Sequence, residues 1–245
     1  MVVWMFAGGG ATEVDGLPVF LQKNFGAHKI QRMTPIVHKK APRPSKYPAP
    51  GLAETQEIVT MTGEELSKQI QCILRKYWST GNCETILVID DLDCHNPSNR
   101  RSLFENAVRR YVPDTNLPVI VGFAAPEIEA WIIADWHNTF EQDYEFKNTN
   151  DTQYAHQIRR ELTEYYQRNG GDISSPESFS ELDPARGACA RKLSEGMIDI
   201  IYRISGINYS KADHSVRMIK QADANRVQER CPQFRPVFLA LTSPR

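Results

Sequence analysis

The sequence predicts an α/β fold in which a largely parallel sheet is flanked by helices, with a helical C-terminal part. In the first half, apolar runs of strand length alternate with amphipathic helical segments, and strand signals fade after residue 145. Strands that alternate with helices in this order indicate parallel strands joined by crossover helices. We expect an α/β core over residues 1–145 and a helical part over residues 146–245, packed on the core as one structural unit.

The first half of the chain supplies the strands. Residues 2–6 (VVWMF) form an apolar run that suits a buried strand, and a glycine-rich turn and a helix follow it. The later elements are a strand within 29–37, a helix over 62–79, a strand over 85–89, a helix over 100–112, a strand over 118–123 and a helix that opens with Pro126.

The helix over 62–79 has the clearest signals. Thr62 and Glu65 have the spacing of a capping box, in which each side chain bonds the backbone N–H of the other residue. Apolar residues at helical spacing predict its buried face: Leu66, Ile70, Ile73, Leu74 and Tyr77.

The second half of the chain predicts helices. One covers 152–169, a second begins at Asp183-Pro184 and continues to 205, and shorter ones cover 216–227 and 234–241. A proline at the first position of a helix is favourable because its missing N–H would have no partner there.

Composition excludes several classes of protein. With 41% hydrophobic and 24% charged residues, the chain has the composition of an ordinary globular protein. No apolar run approaches the roughly 20 residues that cross a bilayer, and the first residues lack the basic segment of a signal peptide. We therefore expect a cytoplasmic protein without a membrane partner.

Charge and cysteine content limit which partners and which structural sites we expect. The chain has 29 basic and 30 acidic residues, so evidence for a nucleic-acid partner must come from local patches. Five cysteines are scattered along the chain without a C-x-x-C pair. We expect neither a disulfide scaffold nor a zinc knuckle.

Acidic residues follow three of the predicted strands. They are Glu13 after the first strand, Asp90, Asp91 and Asp93 after the strand at 85–89, and Glu127 and Glu129 after the strand at 118–123. If these strands are neighbours, their carboxyl ends meet at one rim, where carboxylates repel one another unless a cation is present. Carboxylate oxygens suit Mg²⁺ or Mn²⁺, which promote phosphodiester cleavage. Taken singly, an aspartate here could instead cap a helix or form a turn, and Glu129 could be a solvated helix residue.

The glycine turn Gly8, Gly9, Gly10 is a candidate phosphate-binding segment. It lacks the lysine of a P-loop and the G-x-G-x-x-G spacing of dinucleotide-binding folds. We expect it to let the backbone and a metal site approach a nucleic-acid phosphate. G-x-S-x-G, H-x-E and H-E-x-x-H patterns are absent from the chain.

A basic, proline-rich segment over residues 34–51 is a second candidate for phosphate binding. Its cationic residues include Lys39, Lys40, Arg43 and Lys46. It is either a solvated surface loop or an arm that contacts phosphates, with Tyr47 available to stack on a base.

Lys211 and His214 lie close together in the sequence, in the last part of the chain. A lysine near a metal site would stabilise the charge that develops on a phosphate during cleavage, and His214 would bind the phosphate. The alternative for Lys211 is a solvated lysine on a helix surface.

Four stretches carry a resemblance to a known family. GGGATE, LVIDDLDC, EIEAWIIAD and INYSKADHSVRMI extend from residue 8 to residue 219. They resemble the TOPRIM-like family associated with ABC-type ATPases in prokaryotic defence loci, which is related to the OLD-family nucleases. The resemblance implies a TOPRIM/Rossmann-like fold and a Mg²⁺- or Mn²⁺-dependent nuclease that is the effector of an antiphage system. The implied partners are DNA or RNA, an ABC/AAA-type ATPase subunit and further copies of the chain.

The resemblance also assigns residues. Asp91 and Asp93 match the D-x-D pair, Glu129 the glutamate at the start of the E-x-W helix, and Lys211 the late lysine, with Asp90 as an additional acidic residue. Together with Glu13, the four carboxylates are the predicted metal ligands, and Asp91, Asp93, Glu129 and Lys211 the predicted catalytic residues.

Ala7 departs from the family pattern. The first strand of that family ends in Glu-Gly, whereas this chain has Ala7-Gly8. Three explanations remain open: Glu13 serves instead, the metal site is degenerate, or the alanine is an inactivating substitution. The alternatives to a nuclease are accordingly a non-catalytic regulatory or nucleic-acid-binding subunit, and a phosphatase acting on small phosphoesters, which would not need the basic segment.

Overall fold

A parallel four-stranded sheet lies at the centre of the molecule, which confirms the α/β class. The computed structural model describes residues 1–34, 62–113, 116–147, 153–183, 185–190 and 192–243. Within them the sheet has the order β2-β1-β3-β4. The strands are β1 (Val2–Ala7), β2 (Lys29–Arg32), β3 (Thr85–Asp91) and β4 (Val119–Ala124).

Helices connect these strands and form most of the second half. Those of the first half are α1 (Leu17–Asn24), α2 (Gly63–Tyr77), α3 (Pro97–Arg109) and α4 (Glu129–Ala134). Those of the second half are α5 (Tyr154–Arg168), α6 (Leu193–Ser205), α7 (Val216–Gln221), α8 (Ala224–Arg230) and α9 (Arg235–Thr242). No described helix is both long and apolar enough to span a bilayer.

Three predicted helix starts were wrong. The helix expected over 100–112 begins at Pro97, because the Asn96 side chain caps it by accepting the Ser98 and Asn99 N–H groups. The helix expected to open with Pro126 begins at Glu129, because Pro126 lies in the turn after β4, where its carbonyl accepts a hydrogen bond from Asp93 N–H at 2.8 Å. The helix expected from Asp183 begins at Leu193. The preceding residues instead form a short antiparallel hairpin of β5 (Leu182–Asp183) and β6 (Ala188–Cys189).

The capping box of α2 is only partly realised. Thr62 is the N-cap residue, but its side chain makes no capping hydrogen bond, and Glu65 pairs with Lys68 instead. The apolar face of α2 is buried as predicted except for Tyr77, which is 43% exposed.

The sheet separates two apolar cores because side chains alternate between its faces. The α1, α4 and α7–α9 side receives Val3, Met5, Leu87 and Ile89. The α2–α3 side receives Trp4, Phe6, Ile86 and Val88. This alternation decides the direction of every residue at the end of β3.

The outer edge of β4 is covered by neighbouring segments. Gly122 packs directly against Val237 of α9, where a Cβ atom would collide with that side chain. Phe123 N–H donates to the Gln233 carbonyl at 3.4 Å, and Arg101 Nη1 donates to the Val121 carbonyl at 2.7 Å. Two of the backbone groups of β4 that face away from β3 therefore have partners.

A disulfide joins Cys94, in the loop after β3, to Cys189 of β6. The sequence predicted no disulfide scaffold, and it gave no indication of this single bridge. The two residues are 95 positions apart in the chain, so no local spacing signals the bridge. Cys72, Cys83 and Cys231 are free.

Candidate functional site

The carboxyl ends of β1, β3 and β4 lie side by side, so the acidic segments that follow them meet at one rim of the sheet. β3 lies between the other two strands, with Ile89 opposite Ala7 and Asp91 opposite Ala124. Asp91 therefore stands at the centre of this rim, where its Oδ1 accepts a hydrogen bond from Ile128 N–H at 3.1 Å.

We define the acidic site by its five carboxylates: Glu13, Asp91, Asp93, Glu127 and Glu129. Glu127 and Glu129 are fully buried residues. Lys211 lies between them, with its Nζ 3.3 Å from Glu127 Oε1 and 3.3 Å from Glu129 Oε2. The structure thus brings Glu13, Asp91, Glu129 and Lys211 together as the sequence predicted.

Burial and mutual repulsion shift the acidity of this site. Burial raises the pKa of Asp91 well above its ordinary value, and the neighbouring charges of Glu13, Glu129 and Glu127 raise it further. Burial also raises the pKa of Glu13 and of Glu129, although Lys211 opposes the shift in both. Several carboxyl groups are thus held close together at a net cost in charge repulsion, which a cation would relieve.

Glu127 behaves differently from its neighbours. Burial acts to raise its pKa, but the Lys211 ammonium group and the Ser194 hydrogen bond outweigh that effect and lower it. Its Oε2 accepts the backbone N–H of Ser194, in the first turn of α6, at 2.9 Å. The pKa of Glu127 thus lies below its ordinary value, whereas those of Asp91, Glu13 and Glu129 lie above theirs.

Asp93 lies at the open side of the acidic site, next to Lys192. Lys192 Nζ is 3.1 Å from Asp93 Oδ1 and 3.5 Å from Glu127 Oε1. Asp93 has a positive φ of 49°, which aspartate tolerates better than most residues. Two lysines therefore contact the acidic site, one from inside and one from its open side.

Asp90, predicted as a further metal ligand, does not join the acidic site. Consecutive residues of a strand face opposite sides of the sheet, so the Asp90 side chain points toward α2 and α3. Its Oδ2 accepts the Gly63 N–H at 3.0 Å and lies 3.5 Å from Arg100 Nε. Asp90 thus links β3 to two helices on the opposite face.

Hydroxyl groups hold Glu129 in place. Ser215 Oγ donates to Glu129 Oε1 at 3.0 Å, and the Tyr209 hydroxyl lies 2.9 Å from the same Ser215 oxygen. Ser215 is fully buried and Tyr209 nearly so. The orientation of the Glu129 carboxylate is thus fixed by the segment that also carries Lys211.

Two π-helical turns position Glu13 and Lys211. The turn Thr12–Gly16 precedes α1, the turn Lys211–Ser215 precedes α7, and the Thr12 hydroxyl donates to the Lys211 carbonyl at 3.3 Å. Such wide turns often occur at functional sites. Gly10 permits the close approach of the Glu13 carboxylate, because a Cβ atom there would collide with Glu13 Oε2.

Three of the remaining predicted residues are described by the structure, and the others lie outside the described residues. Gly8 and Gly9 are buried in the turn after β1. His214 Nδ1 accepts the Ser210 N–H at 2.9 Å, and its Nε2 lies 3.0 Å from Glu145 Oε2 without the geometry of a hydrogen bond. The cationic residues of the basic segment lie outside the described residues: Lys39, Lys40, Arg43 and Lys46.

Ala7 contributes no ligand to the acidic site. It is fully buried within the apolar core, and its backbone N–H and carbonyl both bond the Thr34 hydroxyl, at 2.8 and 2.7 Å. The acidic residue that follows β1 at the rim is Glu13, as the sequence allowed.

Lys192 and Glu181 are residues of this region that the sequence did not predict. Glu181 Oε1 accepts the Leu193 N–H at 2.8 Å, and burial raises the pKa of Glu181 to about 7. A lysine before a helix resembles any solvated lysine, and an isolated glutamate in a loop carries no pattern. The only signal in the sequence was indirect: a cluster of acidic side chains needs basic partners, but the sequence does not say which lysine supplies them.

Comparison of the chain with family models, with curated proteins and with solved structures gave no match. Among the residues that the structure describes, no group of three or more His, Cys, Asp and Glu side chains has the arrangement of a formed metal site. The interpretation of the acidic site therefore depends on its own geometry and charge.

Proposed function

We propose that this chain is a Mg²⁺- or Mn²⁺-dependent nuclease of TOPRIM-like type, which hydrolyses phosphodiester bonds of DNA or RNA. One observation carries the proposal: carboxylates from the ends of three parallel strands converge on a single rim, where burial raises the pKa of Asp91, Glu129 and Glu13. Clusters of perturbed carboxyl groups at strand ends are typical of functional sites.

The donor atoms are of the chemical type that a hard divalent cation prefers, although the side chains of the described residues are not arranged around one. Asp91 and Glu129 would be the principal ligands, with Glu13 beside them, and all offer the oxygen atoms that Mg²⁺ and Mn²⁺ prefer. When bound, such an ion would polarise a phosphate oxygen and lower the pKa of a water molecule. Glu13 would take the place of the glutamate that Ala7 does not provide.

Lys211 would act as a fixed positive charge. Burial alone would lower its pKa, but Glu129, Glu127 and Asp91 together raise it above the ordinary value for lysine. A lysine of this kind stays protonated at physiological pH and cannot serve as a general base. It would instead stabilise negative charge on the phosphate.

Partners belong to the same proposal. An effector role in antiphage defence beside an ABC/AAA-type ATPase, and assembly with further copies of the chain, follow from the family resemblance. Contact with nucleic acid would involve the open side of the acidic site and the basic segment that contains Lys39 and Arg43.

A non-catalytic subunit is the second candidate, and the ion pairs of the acidic site favour it. Lys211 and Lys192 already contact Glu127, Glu129 and Asp93, so the cluster can be a structural network without a metal. A phosphatase acting on small phosphoesters would use the same ligands.

Isothermal titration with Mn²⁺ and cleavage assays on single- and double-stranded DNA and RNA test the proposal. We expect Mn²⁺ binding and Mn²⁺-dependent cleavage, both abolished in Glu129→Gln, which keeps an oxygen for the Ser215 hydroxyl. Glu195→Gln, at an exposed position of α6, is the matched control and should retain both. The Ala7→Glu variant is assayed in parallel, since cleavage by that variant alone would identify a site that has lost its glutamate.

The assays separate the candidates. Mn²⁺ binding with hydrolysis of p-nitrophenyl phosphate, but no cleavage of any nucleic acid, would favour the phosphatase. A chain that binds no Mn²⁺ and cuts nothing, alone or with Glu at position 7, would be the non-catalytic subunit.

A further inference from the structure

The backbone of β2 has one side without partners among the described residues. β2 is an end strand of the sheet and pairs with β1 alone. The N–H groups of Lys29 and Met33 donate to carbonyls of the β1 segment, at 2.9 and 2.8 Å. Alternate backbone groups of a strand point to opposite sides, so those of Ile30 and Arg32 point away from β1, where no described residue bonds them. We call this side the β2 edge.

The two edges of the sheet differ. At the other end of the sheet, Arg101 and Gln233 bond two outward backbone groups of β4. A strand whose outward N–H and carbonyl groups are unpaired is a template on which a further strand can add. The β2 edge can therefore accept a strand, whereas part of the β4 edge is already occupied.

A cavity lies beside β2 on each face of the sheet. The cavity on the α2 side has a volume of about 510 Å³, and Trp4, Lys29 and Gln31 contribute to its lining. The cavity on the α1 side has a volume of about 500 Å³, and Val19 and Ile30 contribute to its lining. Side chains of an added strand alternate between the two faces, so they would enter the two cavities in turn. Extended peptides are recognised in this way, by backbone bonds at an edge and pockets for alternate side chains.

The charges around the β2 edge favour an acidic strand. The described residues that line the two cavities include Lys23, Lys29 and Arg32 but no aspartate or glutamate. Neither Lys29 nor Arg32 forms an ion pair with a described residue, and Arg32 Nη1 is buried without a hydrogen-bond partner. Acidic side chains of an incoming strand would lie next to Lys29, and apolar ones against Val19 and Ile30.

A second copy of the chain fits this edge poorly. Antiparallel pairing of two β2 strands about their centre would place Lys29 of each copy opposite Arg32 of the other. Like charges directly opposite each other destabilise a strand pair. We therefore propose that the β2 edge binds an extended acidic segment of a partner protein, which adds to the sheet as a strand beside β2. This inference does not depend on the proposed metal-dependent function, because the β2 edge and the acidic site share no residue.

Amide hydrogen exchange of the full chain tests whether the edge is open. In the free chain, the amides of Ile30 and Arg32 should exchange at least about tenfold faster than those of Lys29 and Met33, which are hydrogen-bonded to the β1 segment. Protection of Ile30 and Arg32 in the free chain would show that the edge is already covered and would overturn the proposal.

Fluorescence anisotropy with synthetic peptides tests the occupant. The probe is a short fluorescein-labelled peptide in which glutamate and valine alternate. One comparison peptide has glutamine in place of every glutamate, and another carries N-methyl groups on its central backbone nitrogens. We expect the probe to bind at least about tenfold more tightly than either, since the first has lost its charge and the second cannot pair with a strand. Binding of the probe should also protect the amides of Ile30 and Arg32.

Two variants locate the binding to this edge. Ile30→Pro removes an outward N–H, and proline is tolerated where the N–H of an edge strand faces away from its neighbour. Lys29→Glu reverses a charge and keeps every backbone group, so it remains informative if Ile30→Pro does not fold. Each should weaken binding of the acidic peptide at least about tenfold. Arg160→Glu, at an exposed position of α5, is the matched control and should change binding less than about twofold.

The outcomes decide between the occupants. Equal binding of the acidic and glutamine peptides, or binding that Lys29→Glu leaves unchanged, would overturn the proposal. A dimer of the free chain, detected by sedimentation and lost in Ile30→Pro, would assign the edge to a second copy and would overturn it as well. None of these measurements involves Mn²⁺ or cleavage, so failure of the metal-dependent function would leave their interpretation unchanged.

Discussion

Asp90 and Asp91 are consecutive residues whose carboxylates lie on opposite faces of the central sheet. Asp91 accepts the Ile128 N–H on the side of the acidic site, whereas Asp90 accepts the Gly63 N–H on the side of α2 and α3. One carboxylate therefore belongs to the proposed cation site, and the other holds helices in place.

Substitution of these two residues should separate the two roles. Asp91→Asn should weaken Mn²⁺ binding at least about tenfold, because a neutral amide replaces the central ligand. Asp90→Asn should leave Mn²⁺ binding within about twofold of the unaltered chain, since its side chain faces the opposite core. Isothermal titration measures both. Equal losses in the two variants would contradict the placement of Asp90.

The pH dependence of stability should reveal Asp90. Burial raises the pKa of Asp90 to about 7, despite the opposing Gly63 hydrogen bond and the Arg100 charge. The folded state therefore keeps a proton that the unfolded state has lost, so stability present below about pH 4 decreases as the pH rises toward 7. The decrease should be about 4 kcal/mol, because each unit of pKa shift corresponds to about 1.4 kcal/mol.

Asp90→Asn is the matching variant, because its amide oxygen still accepts the Gly63 N–H. Urea unfolding from pH 4 to pH 8 should show a flatter profile for the variant than for the unaltered chain, with the greatest gain in stability at pH 8. Parallel profiles would show that Asp90 is ionised in the folded protein at low pH.

The close approach of Gly10 to Glu13 predicts a sensitive backbone position. In Gly10→Ala the new methyl group would displace the Glu13 carboxylate, so Mn²⁺ affinity should decrease several-fold with little loss of fold. Gly26→Ala is the matched control, since the nearest atom to its added methyl group is the Gln22 carbonyl oxygen at 3.6 Å. Unchanged affinity in Gly10→Ala would exclude Glu13 as a ligand.

Removal of Lys211 should destabilise the fold, and a bound cation should restore part of the lost stability. Lys211→Met leaves the buried Glu129 carboxylate without an ammonium partner and Glu127 with Lys192 alone, at a cost of about 2–4 kcal/mol in the free energy of unfolding. Added Mn²⁺ should raise the melting temperature of this variant more than that of the unaltered chain.

A lysine on α2 provides the control. Lys68 is 64% exposed and pairs with Glu65 on the same helix, so Lys68→Met should change stability by less than about 0.5 kcal/mol. Thermal unfolding with and without Mn²⁺ compares the variants. A Lys211→Met protein as stable as the Lys68→Met protein would show that the central ion pairs contribute little.

The rim of the sheet was predictable because its signals are local. Apolar runs define β1, β3 and β4, and the strand-end rule then places Glu13, Asp91 and Glu129 at one edge. Alternation with helices does not fix the order of the strands, so the adjacency of β1, β3 and β4 is a finding of the structure. The same period of two residues explains why Asp90 and Asp91 diverge, although it does not tell which face carries the site.

The features missed by the sequence depend on contacts between distant segments. Strands of two residues, such as β5 and β6, are too short to show alternation, and Asp183-Pro184 has the pattern of a helix start. Cys94 and Cys189 meet only because the hairpin folds over the loop after β3. Lys192 likewise contacts the acidic site only because these distant segments lie together in the folded chain.

The covered outer edge of β4 affects how the molecule behaves toward its own copies. An open strand edge is a template on which another chain can add a strand, which leads to self-association. Arg101 and Gln233 occupy the outward groups of Val121 and Phe123. A chain cut after Arg230 would expose this edge together with the apolar face beneath α9, so solubility would be lost along with stability.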